Sequence, residues 1–208
     1  HYVGNPTADE VHQFRKSYSQ SFEEYCLVHQ LNPTQPIIAL LAGSRIQEIK
    51  DNLPSMIKAI QHFPDYQAVL AGAPSIDESY YHRFLEGTNV QLVKNETYPL
   101  LAQASAALVT SGTATLETAL FNVPQIVCYK TPLPHLMRFL FQHVIKVKYI
   151  SLVNLIADKE VVPELFADRF AVSNIVKALK GLLPGGLNRQ KMLEDYQSLH
   201  LALGSLVA

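Results

Sequence analysis

The sequence has few of the residues that form metal sites or disulfide bridges. Only two of its 208 residues are cysteines, Cys26 and Cys128, and they form no CxxC pair or other paired-ligand spacing. We therefore interpret them as reduced core residues of a cytosolic protein. The eight histidines contain no HExxH motif and no tight cluster, which argues against a metal site.

The sequence also lacks an excess of positive or negative charge. The 17 lysines and arginines are matched by 18 aspartates and glutamates, so the formal net charge of -1 gives no attraction to nucleic acid. No apolar run is long enough to cross a bilayer, and we recognise no signal peptide. A GxGxxG fingerprint and a Walker A lysine loop are missing, so neither a dinucleotide cofactor nor ATP hydrolysis is indicated. We expect a soluble, cytoplasmic protein without a cofactor.

The apolar share of the sequence is 48%, which is enough for 208 residues to bury a proper core. Short apolar runs alternate with segments of helical periodicity. Strands are predicted at residues 36–41, 67–70, 90–93, 106–109 and 125–129, and helices at residues 47–62, 79–85 and 98–104. A further helix follows the strand at residues 106–109 and is expected to stop at Asn122, a residue that tolerates the left-handed conformation of a helix C-cap. This alternation predicts an α/β fold with a Rossmann-like parallel sheet flanked by helices, whose ligands bind at the carboxyl ends of the strands.

The two ends of the chain differ from this alternating middle part. Residues 1–35 are predicted to be a linker and a lead-in helix, with a loose helical pattern at residues 9–28. The chain begins at His1 and not at methionine, which leads us to expect a piece cut from a longer protein; processing or a tag remnant would give the same start. Residues 36–183 are assigned to the Rossmann-like domain, and residues 184–208 to a C-terminal helix.

Residues 133–147 are apolar on nearly every side of a predicted helix and are bordered by basic residues such as Arg138 and Lys148. Such a helix is typical of a core or an interface. The alternative is contact with acyl chains or a membrane surface, because the basic residues would then meet anionic head groups. Peripheral membrane contact and homo-oligomerisation are both open alternatives for this segment.

A small polar turn follows the apolar run at residues 106–109, and it reads Thr110-Ser111-Gly112-Thr113-Ala114-Thr115-Leu116-Glu117. Ser111 or Thr113 is expected to cap the helix, Gly112 lets the backbone approach a ligand, and the first N–H groups of the helix offer a phosphate site. Glu117 follows Thr113 by one helical turn, where its carboxylate would accept hydrogen bonds from ribose hydroxyls. The motif favours a nucleotide, and an ordinary capped strand-turn-helix would show the same pattern.

A second turn of this kind follows the apolar run at residues 36–41. It contains Gly43 and Ser44, and it adds a cation, Arg45. Both turns fall on the edge of a parallel sheet where ligands bind. The pair therefore favours a nucleotide site more strongly than either turn alone.

Four blocks of sequence, taken in order, resemble the C-terminal half of the lipid-A-disaccharide synthase family. They are Leu40-Leu41-Ala42-Gly43-Ser44-Arg45 with Glu48-Ile49, Ser111-Gly112-Thr113-Ala114-Thr115-Leu116-Glu117, residues 124–130, and Tyr149-x-Ser151-Leu152-x-Asn154. The opening Tyr2-Val3-Gly4-Asn5-Pro6 resembles the linker between the two halves of this family. Ala42 and Val153 stand where the family often has proline, a change in backbone stiffness that leaves the functional groups intact.

The resemblance implies the nucleotide-binding half of a GT-B fold, with residues 36–183 as a UDP-sugar-binding domain. The implied reaction is inverting transfer of 2,3-diacylglucosamine from UDP-2,3-diacylglucosamine to 2,3-diacylglucosamine 1-phosphate in lipid A biosynthesis, in the cytoplasm or peripherally on the inner membrane. Matching motifs place Glu117 on the ribose and Asn154 near the donor sugar or phosphate. The residues implied at the pyrophosphate are Gly43, Ser44, Arg45, Ser111, Gly112, Thr113 and Ala114. The general base is expected in the N-terminal half of the family's enzymes, which this chain lacks. The fragment alone is therefore expected to be inactive.

Two other interpretations fit part of the sequence. Another GT-B enzyme acting on UDP-N-acetylglucosamine, such as the peptidoglycan transferase or the UDP-sugar 2-epimerase, would share the Ser-Gly turn followed by Glu117. The Gly43-Ser44-Arg45 block and the block that ends at Asn154 argue against these enzymes. The remaining alternative is a stand-alone nucleotide-binding module.

Overall fold

Six parallel strands form one sheet in the computed structural model, which describes residues 5–110, 112–130 and 148–204. The strands are β1 (Ile37–Leu41), β2 (Gln67–Gly72), β3 (Gln91–Lys94), β4 (Ala104–Val109), β5 (Gln125–Tyr129) and β6 (Glu164–Phe166). Their order across the sheet is β3-β2-β1-β4-β5-β6, and the paired strands are parallel. The order reverses between β1 and β4, where such folds open a crevice. The predicted Rossmann-like fold is confirmed.

Helices precede, connect and follow the strands. They are α1 (Pro6–Ser17), α2 (Phe22–Val28), α3 (Ile46–Ile60), α4 (Glu78–Leu85), α5 (Thr97–Gln103), α6 (Thr113–Leu120), α7 (Leu152–Ala157), α8 (Val172–Leu182) and α9 (Arg189–Gly204), with a 3-10 turn at Ala167–Arg169. The helix predicted at residues 133–147 lies outside the described residues.

The central strands are apolar because helices cover both faces of the sheet. All five residues of β1 are buried, as are the last four of β4. The two strands pair in register from Ile38 opposite Ala106 to Leu41 opposite Val109. Their carboxyl ends therefore lie side by side, and the two polar turns predicted to bind a ligand leave the sheet at the same place.

The helical pattern predicted at residues 9–28 corresponds to two helices, α1 and α2, and not to one continuous helix. The second helix, α2, has its own N-terminus at Ser21, whose hydroxyl accepts the Glu24 N–H at 3.1 Å. The Glu24 carboxylate in turn accepts the Ser21 N–H at 2.8 Å. This reciprocal capping box stabilises a helix start in the middle of the predicted helix.

Strand β6 was not predicted from the sequence. It has only three residues and begins with a glutamate, so it lacks the apolar run that marks the other strands. Pairing with β5 defines it, with Val127 opposite Glu164. It is preceded by Pro163, whose carbonyl accepts the Val127 N–H at 3.0 Å.

The segments before and after the predicted central domain contribute to the same core as the sheet. From α1 and α2, Val11 and Tyr25 are buried in it, and from α9 Tyr196 and Leu199 are buried in it as well. The predicted boundaries at residues 35 and 183 therefore do not separate hydrophobic cores.

Two fully buried tyrosines differ in what their hydroxyl groups contact. The Tyr196 hydroxyl accepts a hydrogen bond from Gln125 Nε2 at 3.1 Å, and the same amide nitrogen donates to the Thr115 carbonyl. The Tyr25 hydroxyl has no hydrogen-bond partner among the residues that the structure describes. A buried hydroxyl without a partner destabilises the folded state, since water would hydrogen-bond it in the unfolded chain.

We predict opposite effects when each of these hydroxyl groups is removed. Tyr196→Phe should lower the free energy of unfolding by about 1 kcal/mol, because a buried hydrogen bond is lost. Tyr25→Phe should leave it unchanged or raise it by up to about 1 kcal/mol. Urea denaturation of both variants measures the difference. A loss in Tyr25→Phe as large as that in Tyr196→Phe would mean that the Tyr25 hydroxyl is hydrogen-bonded in the folded protein.

Candidate nucleotide site

A cavity of about 700 Å³ opens at the carboxyl edge of the sheet, where β1 and β4 end side by side. Its wall combines the turn after β1, the turn after β4 and the segment after β2. The lining includes Gly43, Ser44, Arg45, Glu48, Gly72, Ala73, Pro74, Thr97, Thr110, Gly112, Thr113, Ala114, Glu117, Tyr129 and Ile150. Except for Ser111, which lies outside the described residues, every residue assigned to nucleotide binding from the sequence lines this one cavity.

The turn after β1 requires glycine for two reasons. Gly43 has φ +109°, a left-handed conformation that side chains disfavour. A Cβ at this position would also lie 2.5 Å from Glu48 Oε2 and 2.7 Å from Glu48 Cβ. The Glu48 carboxylate occupies this space because it accepts the Ser44 N–H at 3.1 Å. Glu48 thus holds the shape of the turn from the first turn of α3.

Arg45 is the N-cap residue of α3, and its side chain extends into solvent. The side chain is 83% exposed, and its Nη1 lies 4.0 Å from Glu48 Oε1, at the limit of an ion pair. An exposed pair of this length stabilises a fold very little. The guanidinium is therefore placed at the cavity with its hydrogen-bonding capacity available to an anionic ligand.

The turn after β4 ends at Gly112, which is the N-cap residue of α6. The expectation that a side chain caps this helix is wrong for Thr113, which is the first residue of the helix and makes no capping hydrogen bond. Gly112 has φ +137°, and a Cβ there would meet nothing within 4 Å. The backbone is consequently open to the cavity at this point. The first N–H groups of α6, at Thr113 and Ala114, have no carbonyl of a preceding turn to bond, as at any helix start.

Glu117 lies one turn into α6, and Tyr98 of α5 is its neighbour. The Tyr98 hydroxyl donates a hydrogen bond to Glu117 Oε1 at 3.0 Å. Burial raises the pKa of the Glu117 carboxyl above its usual value, and the hydrogen bond from Tyr98 acts in the opposite direction. Tyr98 was missed in the sequence, where it marked only the start of a predicted helix.

A buried amide joins the elements that carry the cavity. Asn52 of α3 is fully buried, and its Nδ2 donates to Thr110 Oγ1 at 3.3 Å. Its Oδ1 accepts the Lys130 N–H at 2.8 Å, just after β5. Asn52 therefore links α3 to the ends of two strands. The signal in the sequence was a polar residue beside the apolar Ile49 and Leu53 stripe of α3.

The family model and the curated relatives that match this sequence point to one family. A family model described as lipid-A-disaccharide synthetase matches residues 1–206. The chain belongs to the lipid-A-disaccharide synthase family. The curated relative from Gloeothece citriformis is 36% identical over 99% of this chain and 54% of its own length. The relative from Myxococcus xanthus is 32% identical over 98% of this chain and 53% of its own length. The chain thus spans about half the length of these lipid-A-disaccharide synthases.

Solved structures similar to this family member show the fold alone, because their sequences are far apart. A UDP-GlcNAc 2-epimerase from Neisseria meningitidis, bound to UDP-GlcNAc, has a TM-score of 0.66 at 15% identity and covers 99% of this chain and 53% of its own. WaaG, a glycosyltransferase of lipopolysaccharide biosynthesis, has a TM-score of 0.58 at 15% identity, and the match covers 90% of this chain and 48% of the WaaG chain. Both are consistent with a Rossmann-like half of a GT-B architecture.

The geometry does not support the predicted contact of Asn154 with the donor in this lipid-A-disaccharide synthase family member. Asn154 is 0% exposed and is absent from the cavity lining. Its Oδ1 accepts the N–H groups of Val161 and Val162 at 2.7 and 2.9 Å. Its Nδ2 donates to the Val162 carbonyl at 2.8 Å and to Glu164 Oε1 at 2.9 Å. Both ends of the amide are occupied inside the protein.

The block that resembles the family in this region is held together by Glu164, which was missed in the sequence. The buried Glu164 carboxylate accepts the N–H groups of Ile150 and Ser151, the Ser151 hydroxyl and the Asn154 amide, at 2.8 to 3.1 Å. The Ser151 hydroxyl in turn accepts the Asn154 N–H at 3.3 Å and caps α7. Ser151 and Asn154 therefore fix α7 to β6, next to Ile150 in the cavity wall.

Two further observations concern the described residues only. No group of three or more His, Cys, Asp or Glu side chains among them is arranged to hold a metal ion. Within the same residues, no helix combines the length and the apolar character needed to cross a membrane.

We predict that Asn154→Ala destabilises the folded protein. The substitution leaves two buried N–H groups and one buried carboxylate short of a partner, so the free energy of unfolding should fall by about 2 to 4 kcal/mol. Asn174→Ala is the matched control, because the exposed side chain of Asn174 makes one hydrogen bond among the described residues, to the Arg169 carbonyl. This substitution should change stability by less than about 0.5 kcal/mol. Thermal and urea unfolding measure both. An Asn154→Ala protein as stable as the unmodified chain would contradict the structural role of the Asn154 side chain.

Proposed function

We propose that this chain is the donor-binding half of a lipid-A-disaccharide synthase. In this proposal the full-length enzyme is an inverting glycosyltransferase that transfers 2,3-diacylglucosamine from UDP-2,3-diacylglucosamine to 2,3-diacylglucosamine 1-phosphate. Family membership supports the enzyme class. The single observation that carries the donor site is the cavity in which Gly43-Ser44-Arg45, the start of α6 and Glu117 come together.

The arrangement suits both the pyrophosphate and the ribose of a nucleoside diphosphate. Open backbone at Gly112, the N–H groups at the start of α6 and the Arg45 guanidinium are donors for a pyrophosphate. Glu117 stands one turn further along α6, where its carboxylate would accept hydrogen bonds from the ribose hydroxyls. A solved epimerase with a related fold is bound to UDP-GlcNAc, and another structure of similar fold, from S. aureus, contains UDP. Those ligands support a uridine nucleotide as the class of donor.

The reaction requires stabilisation of the negative charge that develops on the departing UDP. A guanidinium group and the N–H groups of a helix N-terminus supply this stabilisation, because their hydrogen bonds are directed at the developing charge. Arg45 and the start of α6 are proposed to share this role. The general base and the acceptor pocket are proposed to lie in the half of the enzyme that this chain does not span.

The proposed substrates carry acyl chains, so the enzyme is proposed to act in the cytoplasm at the surface of the inner membrane. Residues 133–147, which lie outside the described residues, are the proposed lipid or protein contact. Homo-oligomerisation through the same segment is the alternative for it. Nucleic acid is not a proposed partner, given the formal net charge of -1.

We predict that the 208-residue chain binds UDP and transfers no sugar. Binding should be weak, because the opposing half that would close over the nucleotide is missing from the assay, and transfer should be undetectable without the base and the acceptor pocket. Glu117→Ala should weaken UDP binding by about 1 to 3 kcal/mol and barely change the affinity for pyrophosphate, because only the ribose contact is lost. Isothermal calorimetry with both ligands measures this difference.

The matched control for this experiment is Glu194→Ala, an exposed glutamate on α9 that accepts a hydrogen bond from Gln190. It should leave both affinities unchanged. Equal losses for UDP and pyrophosphate in Glu117→Ala would remove the ribose assignment. Absence of UDP binding by the unmodified chain at millimolar concentration would remove the nucleotide site itself.

We also predict that Arg45→Lys weakens both UDP and pyrophosphate, since lysine keeps the charge but loses the planar fork. The expected loss is about 1 to 2 kcal/mol for each ligand, and the same change in a full-length family member should lower turnover. Arg83→Lys is the control, because Arg83 stacks on the Tyr80 ring at 4.7 Å and does not line the cavity. Unchanged affinity and turnover in Arg45→Lys would show that the guanidinium does not act on the pyrophosphate.

A further inference from the structure

The carboxylate of Glu117 is held by a neighbour that the proposed reaction does not use. Tyr98 donates its hydroxyl hydrogen to Glu117 Oε1 at 3.0 Å, across from α5 to α6. Thr97, the residue before Tyr98, lines the same cavity as Glu117. The hydrogen bond therefore lies at the wall of the cavity, behind the group that would meet the ribose.

The ring of Tyr98 is fixed from two other elements. Phe14 of α1 meets it edge-on, with 5.4 Å between ring centroids, and Phe121 at the end of α6 packs against it at 5.3 Å. Phe14 and Phe121 also contact each other at 5.8 Å. The aromatic rings of Phe14, Tyr98 and Phe121 thus pack together in one cluster, and this packing fixes the position of the Tyr98 hydroxyl.

The charges around this pair favour one direction of the hydrogen bond. Burial raises the pKa of Tyr98, and the neighbouring Glu117 raises it further, so the phenol stays protonated and donates. The titratable groups that act on Glu117 are Tyr98 of α5 and Glu10 of α1, and Glu10 disfavours the ionised form of Glu117. Among the described residues, no lysine, arginine or histidine forms an ion pair with Glu117. The Tyr98 hydroxyl is consequently the main group that favours the carboxylate form there.

We propose that Tyr98 is a positioning residue that fixes the Glu117 carboxylate for the vicinal diol of a nucleoside. In this way it sets the preference of the cavity for a nucleoside diphosphate over a bare diphosphate. The inference rests on the proposed donor site and adds the residue that orders its ribose-binding group.

The physical reason is preorganisation. A free glutamate side chain samples many rotamers and would lose that freedom when it binds two ribose hydroxyls. The Tyr98 hydrogen bond already restrains the carboxylate, and it uses Oε1 only, so Oε2 keeps its acceptor capacity for the ligand. The ring of Tyr98 supplies packing as well, and the experiment must separate the hydroxyl from the ring.

Tyr98→Phe keeps the ring and removes only the hydroxyl. We expect UDP to bind about five- to tenfold more weakly to this variant, on the scale of one ordinary hydrogen bond, with pyrophosphate affinity unchanged within about twofold. Tyr18→Phe is the matched control. Tyr18 stacks on Phe14 at 5.0 Å in the same aromatic group. Its hydroxyl donates to Gln20 and accepts a hydrogen bond from Gln103 Nε2 at 3.2 Å, and neither partner lines the cavity. It should leave both affinities unchanged.

The pH dependence gives a readout that packing alone would not change. UDP affinity should fall on acidification, because protonation removes the charge of the Glu117 carboxylate and turns one of its acceptor oxygens into a donor. Loss of the Tyr98 hydrogen bond raises the pKa of Glu117, since a donor to the charged form is gone. The acid limb of the UDP affinity profile should therefore move to higher pH in Tyr98→Phe. The titration of the UDP phosphate itself is common to both proteins and cancels in the comparison.

A double-mutant cycle completes the test. Tyr98→Phe should cause no further loss of UDP affinity in a Glu117→Ala background, because the residue acts through Glu117. Additive losses, equal losses for UDP and pyrophosphate, or an unmoved acid limb would each overturn the inference while leaving the donor site in place. Failure of the unmodified chain to bind UDP would overturn both the inference and the donor site. Unchanged UDP affinity in Glu117→Ala would overturn the inference together with the ribose assignment of Glu117.

Discussion

The parallel pairing of β1 with β4 is the interaction on which the candidate site depends. Leu41 lies opposite Val109 at the last position of the ladder, and the Thr110 N–H donates to the Leu41 carbonyl at 2.8 Å. Turns that are far apart in the sequence therefore start from one point. At a reversal of strand order the helices that follow the two strands lie on opposite faces of the sheet, so α3 and α6 diverge and leave a cleft between their N-termini. A slip of one residue in this pairing would reverse the facing of the side chains along the strand and misalign the turns.

The two turns use glycine for different physical reasons. At Gly43 the surrounding protein excludes a side chain, because the Glu48 carboxylate occupies the space beside its Cα. At Gly112 the protein leaves that space open, and a side chain there would instead stand between the backbone and the proposed ligand. The first glycine is needed for the shape of the turn, and the second for access to it. Glu48 also places a negative charge beside a proposed anion site, which is tolerable because the Ser44 N–H and the nearby Arg45 offset it.

The parts of the fold that depend on local pattern could be predicted from the sequence. Apolar runs gave the strands up to β5, and Asn122 has the left-handed φ of +58° expected just after α6. The parts that depend on contacts between distant residues could not be. Asn154 was assigned to the donor because of its motif, yet Glu164 and the backbone around Val162 saturate its side chain. The Tyr98 hydroxyl meets Glu117 only after two helices pack together, and no spacing in the sequence reports that contact.

The two kinds of donor at the proposed pyrophosphate site differ in how much they are ordered before a ligand arrives. The N–H groups at the start of α6 are fixed by the helix and by the Thr115 hydroxyl, which donates to the Gly112 carbonyl at 2.8 Å. Arg45 is 83% exposed and must give up rotamer freedom of about 1 to 2 kcal/mol on binding. The backbone groups are therefore suited to hold the diphosphate in its ground state. A flexible guanidinium contributes most when the charge on its partner grows, and on the proposed donor that growth occurs as the bond to the sugar breaks.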